Sequence, residues 1–302
     1  MNTVFLKAAS FIMIICLGYG LKKWRILKIE DMGVFSSLVV KITLPAAIVY
    51  NFSKVTMDAS MLTLVVVGLV CSALYVAVGY GLFLGGTKEE RAFGLINASG
   101  YNIGCFTMPF VQSFLGAAGV ATTSLFDTGN AMICTGTSYA IAVSVSGKGE
   151  KRGAARMVKQ LFSSVPFDCY ITMTILTLFQ IRLPALVLGF AETVGNANTF
   201  LALLMIGLGL EIRMTRAQAA SVGKIIGTRF LLSLGLAVLF YRYAPFGAEI
   251  KRTLAILMFA PVSSLGVPYT SMIEGDISLA SAVNSVSILV GIVSLTAAIL
   301  LF

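Results

Sequence analysis

The sequence predicts an all-α polytopic membrane protein with ten transmembrane helices, arranged as two inverted five-helix repeats. Three observations predict this class: a scarcity of charge, ten long apolar runs, and matching helix breaks in the two halves. Of the 302 residues, 58% are hydrophobic and 12% are charged, and the mean hydropathy is +0.93. Because soluble domains carry about 25% charged residues, this chain has too little polar surface for an aqueous globule and fits a hydrocarbon environment.

A membrane-spanning helix needs about 20 mostly apolar residues, and ten segments meet this requirement. Continuous runs of this length exclude barrel strands, in which apolar and polar residues alternate. The seventh segment is long, and residues 195–198 predict an interruption in it, with a short interfacial helix before the span. The ten segments are 3–21, 32–52, 60–84, 92–115, 118–145, 161–180, 185–211, 222–242, 252–273 and 278–302.

A basic loop at 147–160 separates the first repeat (1–146) from the second (161–302). If ten helices alternate, this loop and three other basic clusters fall on one side of the membrane, with 14 Lys and Arg residues against five on the other side. The positive-inside rule then places the loop in the cytoplasm and both termini outside. The expected location is the cell membrane, meaning the plasma or inner membrane. The 14 residues are Lys22, Lys23, Arg25, Lys28, Lys88, Arg91, Lys148, Lys151, Arg152, Arg156, Lys159, Arg213, Arg216 and Lys224.

The two halves have matching breaks in their fourth helices. Each half has an odd number of helices, so a second copy must insert with the opposite orientation. Gly and Pro lie in mid-span between Asn97 and Pro109, and again between Ala260 and Pro268. Breaks inside a bilayer leave backbone groups unpaired, and matched breaks indicate a shared site at the membrane midplane. A role in kinking or close packing stays open, since both residues are common in membrane helices.

Four groups of residues carry a resemblance that spans the chain. They are Leu44-Pro45-Ala46-Ala47 in the second helix, Asn97, Gly104 and Pro109 in the fourth, Asp127 and Asn130 in the fifth, and Ala260-Pro261 with Pro268-Tyr269 in the ninth. With these features the chain resembles bacterial members of the auxin efflux carrier family, of the malate and malonate permease type. The resemblance implies broken fourth and ninth helices that cross at prolines, and transport of small organic anions. Plant members carry Asn-Pro in the crossing helices, whereas Met108 and Ala260 precede the prolines here, which favours a small carboxylate over auxin.

Asp127, Lys41 and Arg229 are charged residues inside apolar segments that bear on the function. Asp127 is deep in the fifth helix. Burying an acid inside the membrane costs free energy, so an acid at this depth indicates a functional or structural role. We expect it to carry the coupling ion, with Asn130 one turn away on the same face; a structural acid paired with a lysine or a hydroxyl is the alternative. Lys41 lies about 15 Å into its helix, so it is expected to face an anionic substrate, pair with Asp127 or lie at the interface. Arg229 is shallower, and we expect it to extend to the interface.

The expected substrate site follows from the breaks and from these charges. Half-helix N-termini offer free N–H donors and partial positive charge, which suit a carboxylate. The residues expected to bind substrate are Lys41, Asn97, Asn102, Gly104, Pro109, Asn130, Pro261, Ser264, Gly266 and Pro268.

The predicted function is secondary active transport of small mono- or dicarboxylates by alternating access, with a membrane channel or a membrane-embedded enzyme as alternatives. The chain has no histidine, which removes catalysis by imidazole and the commonest metal ligand. We expect no enzymatic activity, no cofactor, no metal and no nucleic acid. The expected partners are the carboxylate substrate, a proton or sodium ion for coupling, and the lipid bilayer, with a homodimer as one option for assembly.

Overall fold

The computed structural model describes residues 2–150, 153–210 and 214–302, and every regular element in these ranges is helical. Lys151, Arg152 and Arg213 of the basic clusters lie outside the described residues. The α-helices are α1 (Asn2–Lys23), α2 (Met32–Leu38), α3 (Leu44–Phe52), α4 (Thr63–Leu82), α5 (Lys88–Asn97), α6 (Met108–Phe114), α7 (Gly116–Met132), α8 (Ser138–Ser146), α9 (Ala154–Leu161), α10 (Val165–Leu178), α11 (Ala185–Gly209), α12 (Arg216–Tyr243), α13 (Ala248–Leu257), α14 (Gly266–Met272) and α15 (Ile277–Leu301). Short 3₁₀ turns lie at Ile29–Asp31 and Ala59–Leu62, and π-helical turns at Val39–Thr43, Ile103–Thr107 and Ile133–Thr137.

Within the described ranges, six helical segments are long and apolar enough to cross a membrane, and each coincides with one of the predicted segments. They are Phe5–Lys23, Ile29–Phe52, Ala59–Leu82, Ala185–Gly209, Gln218–Tyr243 and Ile277–Leu301. The chain is therefore a multi-pass membrane protein. The other four predicted segments are also helical, but each contains an interruption or a bend.

The four interrupted segments differ in the kind of interruption. The fourth and ninth are broken, between α5 and α6 and between α13 and α14. The fifth is joined across a π-helical turn between α7 and α8. The sixth corresponds to α10, which meets α9 at a bend of 75°.

The predicted interruption of the seventh segment at 195–198 is wrong, because α11 continues through these residues. Gly195 allows the backbone of α3 to approach, since a Cβ there would lie 2.8 Å from the Ala47 Cα atom. Asn198 is fully buried; its side chain accepts a hydrogen bond from Thr43 Oγ1 (3.1 Å) and donates one to Gln112 Oε1 (3.3 Å). Gly195 and Asn198 therefore serve contacts between helices.

Two glycines bring α4 and α7 into backbone contact. A Cβ at Gly68 would lie 1.9 Å from the carbonyl oxygen of Phe126, and a Cβ at Gly129 would lie 1.9 Å from that of Val65. Small residues at such crossings let membrane helices pack closely. This packing fixes the part of α7 that carries Asp127 against α4.

Candidate functional site

The first break follows α5, whose start is defined by a capping box. The Thr87 hydroxyl accepts from the Glu90 N–H (3.2 Å), and the Glu90 carboxylate accepts from the Thr87 N–H (2.8 Å). The helix ends at Asn97, and regular structure resumes with the π-helical turn at Ile103–Thr107. Gly100 lies between them with a φ of +64°, a conformation that glycine adopts without strain.

The second break follows α13. This helix ends at Leu257, and α14 begins at Gly266. Pro261 lies between them and is buried, and its ring cannot donate a backbone hydrogen bond. Pro109 and Pro268 lie close to the starts of α6 and α14, so both helices begin again near a proline.

The two breaks touch each other through the backbone. The Asn102 N–H donates a hydrogen bond to the Pro261 carbonyl (2.9 Å). The Asn97 side chain reaches from α5 to α14, where its amide donates to Thr270 Oγ1 (2.8 Å) and its oxygen lies 2.9 Å from where a Cβ of Gly266 would stand. The fourth and ninth segments are therefore broken as expected and contact each other at the breaks.

Asn130 of α7 holds the first break in place. Its side-chain oxygen accepts from the Tyr101 N–H (3.1 Å), and its amide donates to the Tyr101 carbonyl (3.0 Å). Ser72 of α4 also donates to the same oxygen (2.8 Å). Because α5 ends at Asn97, the N–H and the carbonyl of Tyr101 have no partners within a helix. The side-chain amide of Asn130 supplies both hydrogen bonds instead.

Asp127 is joined to this network. Its carboxylate accepts one hydrogen bond from the Asn130 amide (2.8 Å) and another from the Tyr170 hydroxyl of α10 (3.1 Å). The expected proximity of Asp127 and Asn130 on one helix face is thus observed. A Cβ at Gly104 would lie 4.0 Å from the Tyr170 hydroxyl, so the turn after the first break contacts the tyrosine that donates to this acid.

The other predicted site residues occupy different environments. Pro109 and Gly266 are buried, whereas Ser264 and Pro268 are exposed. Lys41 is exposed in the π-helical turn between α2 and α3. Among the described residues, salt bridges join Lys148 to Glu89 and Arg156 to Glu150, and Lys41 is not paired with Asp127.

Sequence reasoning missed two residues of this region. Tyr170 resembled any aromatic residue of an apolar helix, and only its contact with Asp127 distinguishes it. The expectation that Arg229 extends to the interface is wrong, because this side chain is only 5% exposed. Its guanidinium donates to the carbonyls of Ala98 and Ala260, at the two breaks.

A polar cavity lies at the far end of α6. It has a volume of about 460 Å³ and is lined by α1, α3, α6 and α11, with Lys7, Tyr50, Gln112 and Asn196 among its polar residues. Ten residues separate Asn102 from Gln112, so the cavity is about 15 Å from the crossing along the helix. In the described part of the chain, no cluster of three or more His, Cys, Asp or Glu residues could hold a metal ion.

Comparison with known proteins identifies the family. No curated protein matches the chain. The family described as membrane transport protein matches residues 3–164, which is more than half of the chain and includes the first break, Asp127 and Asn130. The chain therefore belongs to this family of membrane transport proteins, the family of the auxin efflux carriers.

Proposed function

We propose that this protein is a secondary active transporter of small organic anions, which works by alternating access. The observation that carries the proposal is the hydrogen bond between the Asn102 N–H and the Pro261 carbonyl, which joins two broken helices beside an intramembrane acid. Irregular backbone at membrane depth is tolerated where it lines a cavity or is buried in protein. Paired breaks of this kind are typical of transporters that bind their substrate at the midplane.

Two further relationships support ten helices in two inverted repeats, 1–146 and 161–302. Asn102 and Pro261 are 159 residues apart, as are Pro109 and Pro268. In each half, a side chain of the fifth predicted helix also accepts a hydrogen bond from the N–H of a residue in the break. Asn130 does this for Tyr101 (3.1 Å), and Ser287 does it for Val262 (2.8 Å).

The charges near the crossing favour an anion bound together with a cation. The helical segment Ile103–Phe114 begins at the crossing and directs its first N–H groups there, which suits a carboxylate. An ionised Asp127 would repel that carboxylate, since both are negative. A proton or sodium ion at Asp127 removes this repulsion, and this would couple the entry of an acid to the entry of a cation.

Lys41 is proposed to attract the anionic substrate. An ammonium group facing hydrocarbon in mid-helix costs several kcal/mol, so an exposed lysine at this position should face a water-filled cleft. Its π-helical turn packs against the turn at Ile103–Thr107. We place it near the mouth of the site, where it would attract an anion.

We further propose a cell-membrane location, with both termini outside and residues 147–160 in the cytoplasm. In this orientation α5 and α14 lie in the cytoplasmic half of the membrane. The polar cavity at the end of α6 would then open outward and form the outer approach to the crossing.

Uptake into proteoliposomes tests the proposal. With the outside more acidic than the lumen, radiolabelled succinate should accumulate above its external concentration, and a protonophore should abolish the accumulation. Benzoate and an organic cation such as tetraethylammonium serve as comparison solutes. Equilibration without accumulation would favour a channel, and uptake of the cation in preference to both acids would contradict the anion assignment.

A further inference from the structure

Arg229 of α12 contacts both breaks at once. One guanidinium nitrogen donates to the Ala98 carbonyl, next to the end of α5, and the other donates to the Ala260 carbonyl (3.3 Å), just after α13. The side chain is 5% exposed, so the charge is enclosed in protein.

Aromatic residues complete the surroundings of this charge. The guanidinium lies 4.1 Å from the ring centroid of Tyr75 and 5.4 Å from that of Tyr101. The Tyr75 hydroxyl is hydrogen-bonded to Ser233 (2.8 Å), and the Tyr101 hydroxyl donates to the Met258 sulfur (3.6 Å). Tyr101 belongs to the first break and Met258 to the second, so the cluster extends across both.

The electrostatics explain why an arginine stands here. The C-terminus of a helix carries roughly half a negative charge. Two such ends, those of α5 and α13, add to about one unit, which one guanidinium offsets. Its planar fork presents several N–H groups in fixed directions and can donate to two acceptors, whereas a lysine is a point charge on a flexible stem.

We infer that Arg229 is a positioning residue that ties the two broken helices together and keeps their ends in register at the crossing. Its donors face backbone carbonyls, so it acts through the two breaks and is not the partner of Asp127. The inference about the two breaks stands on this geometry, and only its consequence for transport rests on the proposed function.

Hydrogen–deuterium exchange of the full chain in lipid nanodiscs tests the inference. Arg229→Gln removes the charge and the fork, and it should speed exchange about tenfold in both 98–107 and 258–266, since hydrogen bonds to a charged group are lost at each break. Arg229→Lys is the variant more certain to fold. It should keep the slow, wild-type exchange in at most one of the two segments. Arg242→Gln, at an exposed position on the same helix, should change neither.

Transport kinetics give a second readout. For succinate uptake, Arg229→Lys should lower the maximal rate by about tenfold and leave KM within about twofold, since the residue does not face the substrate. The inference would be overturned if Arg229→Gln left exchange at both breaks unchanged. It would also be overturned if exchange became equally faster throughout α12 and its neighbours, since that result indicates ordinary packing. If the wild type takes up no succinate, the proposed function fails for this acid, and the exchange data still decide the role of Arg229.

Discussion

The backbone N–H of Asn102 is hydrogen-bonded to the carbonyl of Pro261 across 2.9 Å. The bond cannot be reciprocated, because proline has no N–H; the Asn102 carbonyl instead accepts from Thr107 Oγ1 (3.0 Å). The side chain of Asn102 is only partly buried and is not needed for either bond. Backbone and side chain at this position can therefore be tested separately.

Two substitutions at Asn102 should have different effects. Asn102→Ala keeps the backbone bond and removes the side-chain amide; we expect KM for the transported acid to rise about three- to tenfold, since a neutral hydrogen bond contributes about 0.5–1.5 kcal/mol, with Tm unchanged. Asn102→Pro removes the donor itself and should lower both transport and Tm. Uptake kinetics and thermal unfolding in detergent measure the two effects. If Asn102→Pro leaves Tm unchanged and alters transport no more than Asn102→Ala does, the backbone hydrogen bond contributes neither to stability nor to transport.

The close contact of α4 with α7 predicts a strong effect of one methyl group. Gly129→Ala would place a Cβ 1.9 Å from the Val65 carbonyl oxygen, and the resulting overpacking should cost about 1–3 kcal/mol. Since Asp127 and Asn130 are on the same part of α7, transport should fall together with Tm. Gly235→Ala is the matched control, because a Cβ there meets no atom within 4 Å. An unchanged Tm in the Gly129 variant would contradict the helix contact.

Much of this arrangement could be predicted from the sequence, but two classes of feature could not. The breaks were visible because Gly and Pro interrupt apolar runs, and the contact of Asp127 with Asn130 follows from helical periodicity. The burial of Arg229 was not predictable, since its position along α12 does not tell which face meets the protein. The Gly195–Asn198 stretch resembled a break because the same small and polar residues also serve helix contacts.

The orientation of the chain can be tested with single cysteines in a cysteine-free background. Glu150→Cys, in the basic loop, should react with an impermeant maleimide only after the membrane is permeabilised. Gly247→Cys, at an exposed position between α12 and α13, should react in intact cells. The asymmetry of Lys and Arg residues predicts this pattern, and the reverse pattern would invert the proposed topology.

The coupling role of Asp127 predicts a separation of accumulation from exchange. Asp127→Asn keeps a side chain that can accept from Tyr170 but cannot bind or release a proton. Wild-type uptake should increase as the external pH falls, because protonation removes a negative charge beside the carboxylate site; the variant should lose this pH dependence and still exchange internal for external acid. Asp168→Asn, in the first turn of α10, is the control and should keep the wild-type pH profile. Accumulation against a pH gradient by the Asp127 variant would make this acid structural.

The role of Lys41 depends on what its exposed side chain faces. If it faces a water-filled cleft at the mouth of the site, Lys41→Gln should weaken succinate binding by at most about fivefold, because exposed charge pairs contribute roughly 0–1 kcal/mol. The effect should shrink as salt is raised, since the Debye length falls from about 10 Å at 0.1 M to about 3 Å at 1 M. Lys54→Gln, in the loop after α3, removes one positive charge in the same way and is the matched control. At low salt it should weaken succinate binding less than Lys41→Gln does. Equal affinities of the Lys41 and Lys54 variants at low salt would remove Lys41 from the anion site, and the N–H groups at the start of Ile103–Phe114 would then have to select the carboxylate without it.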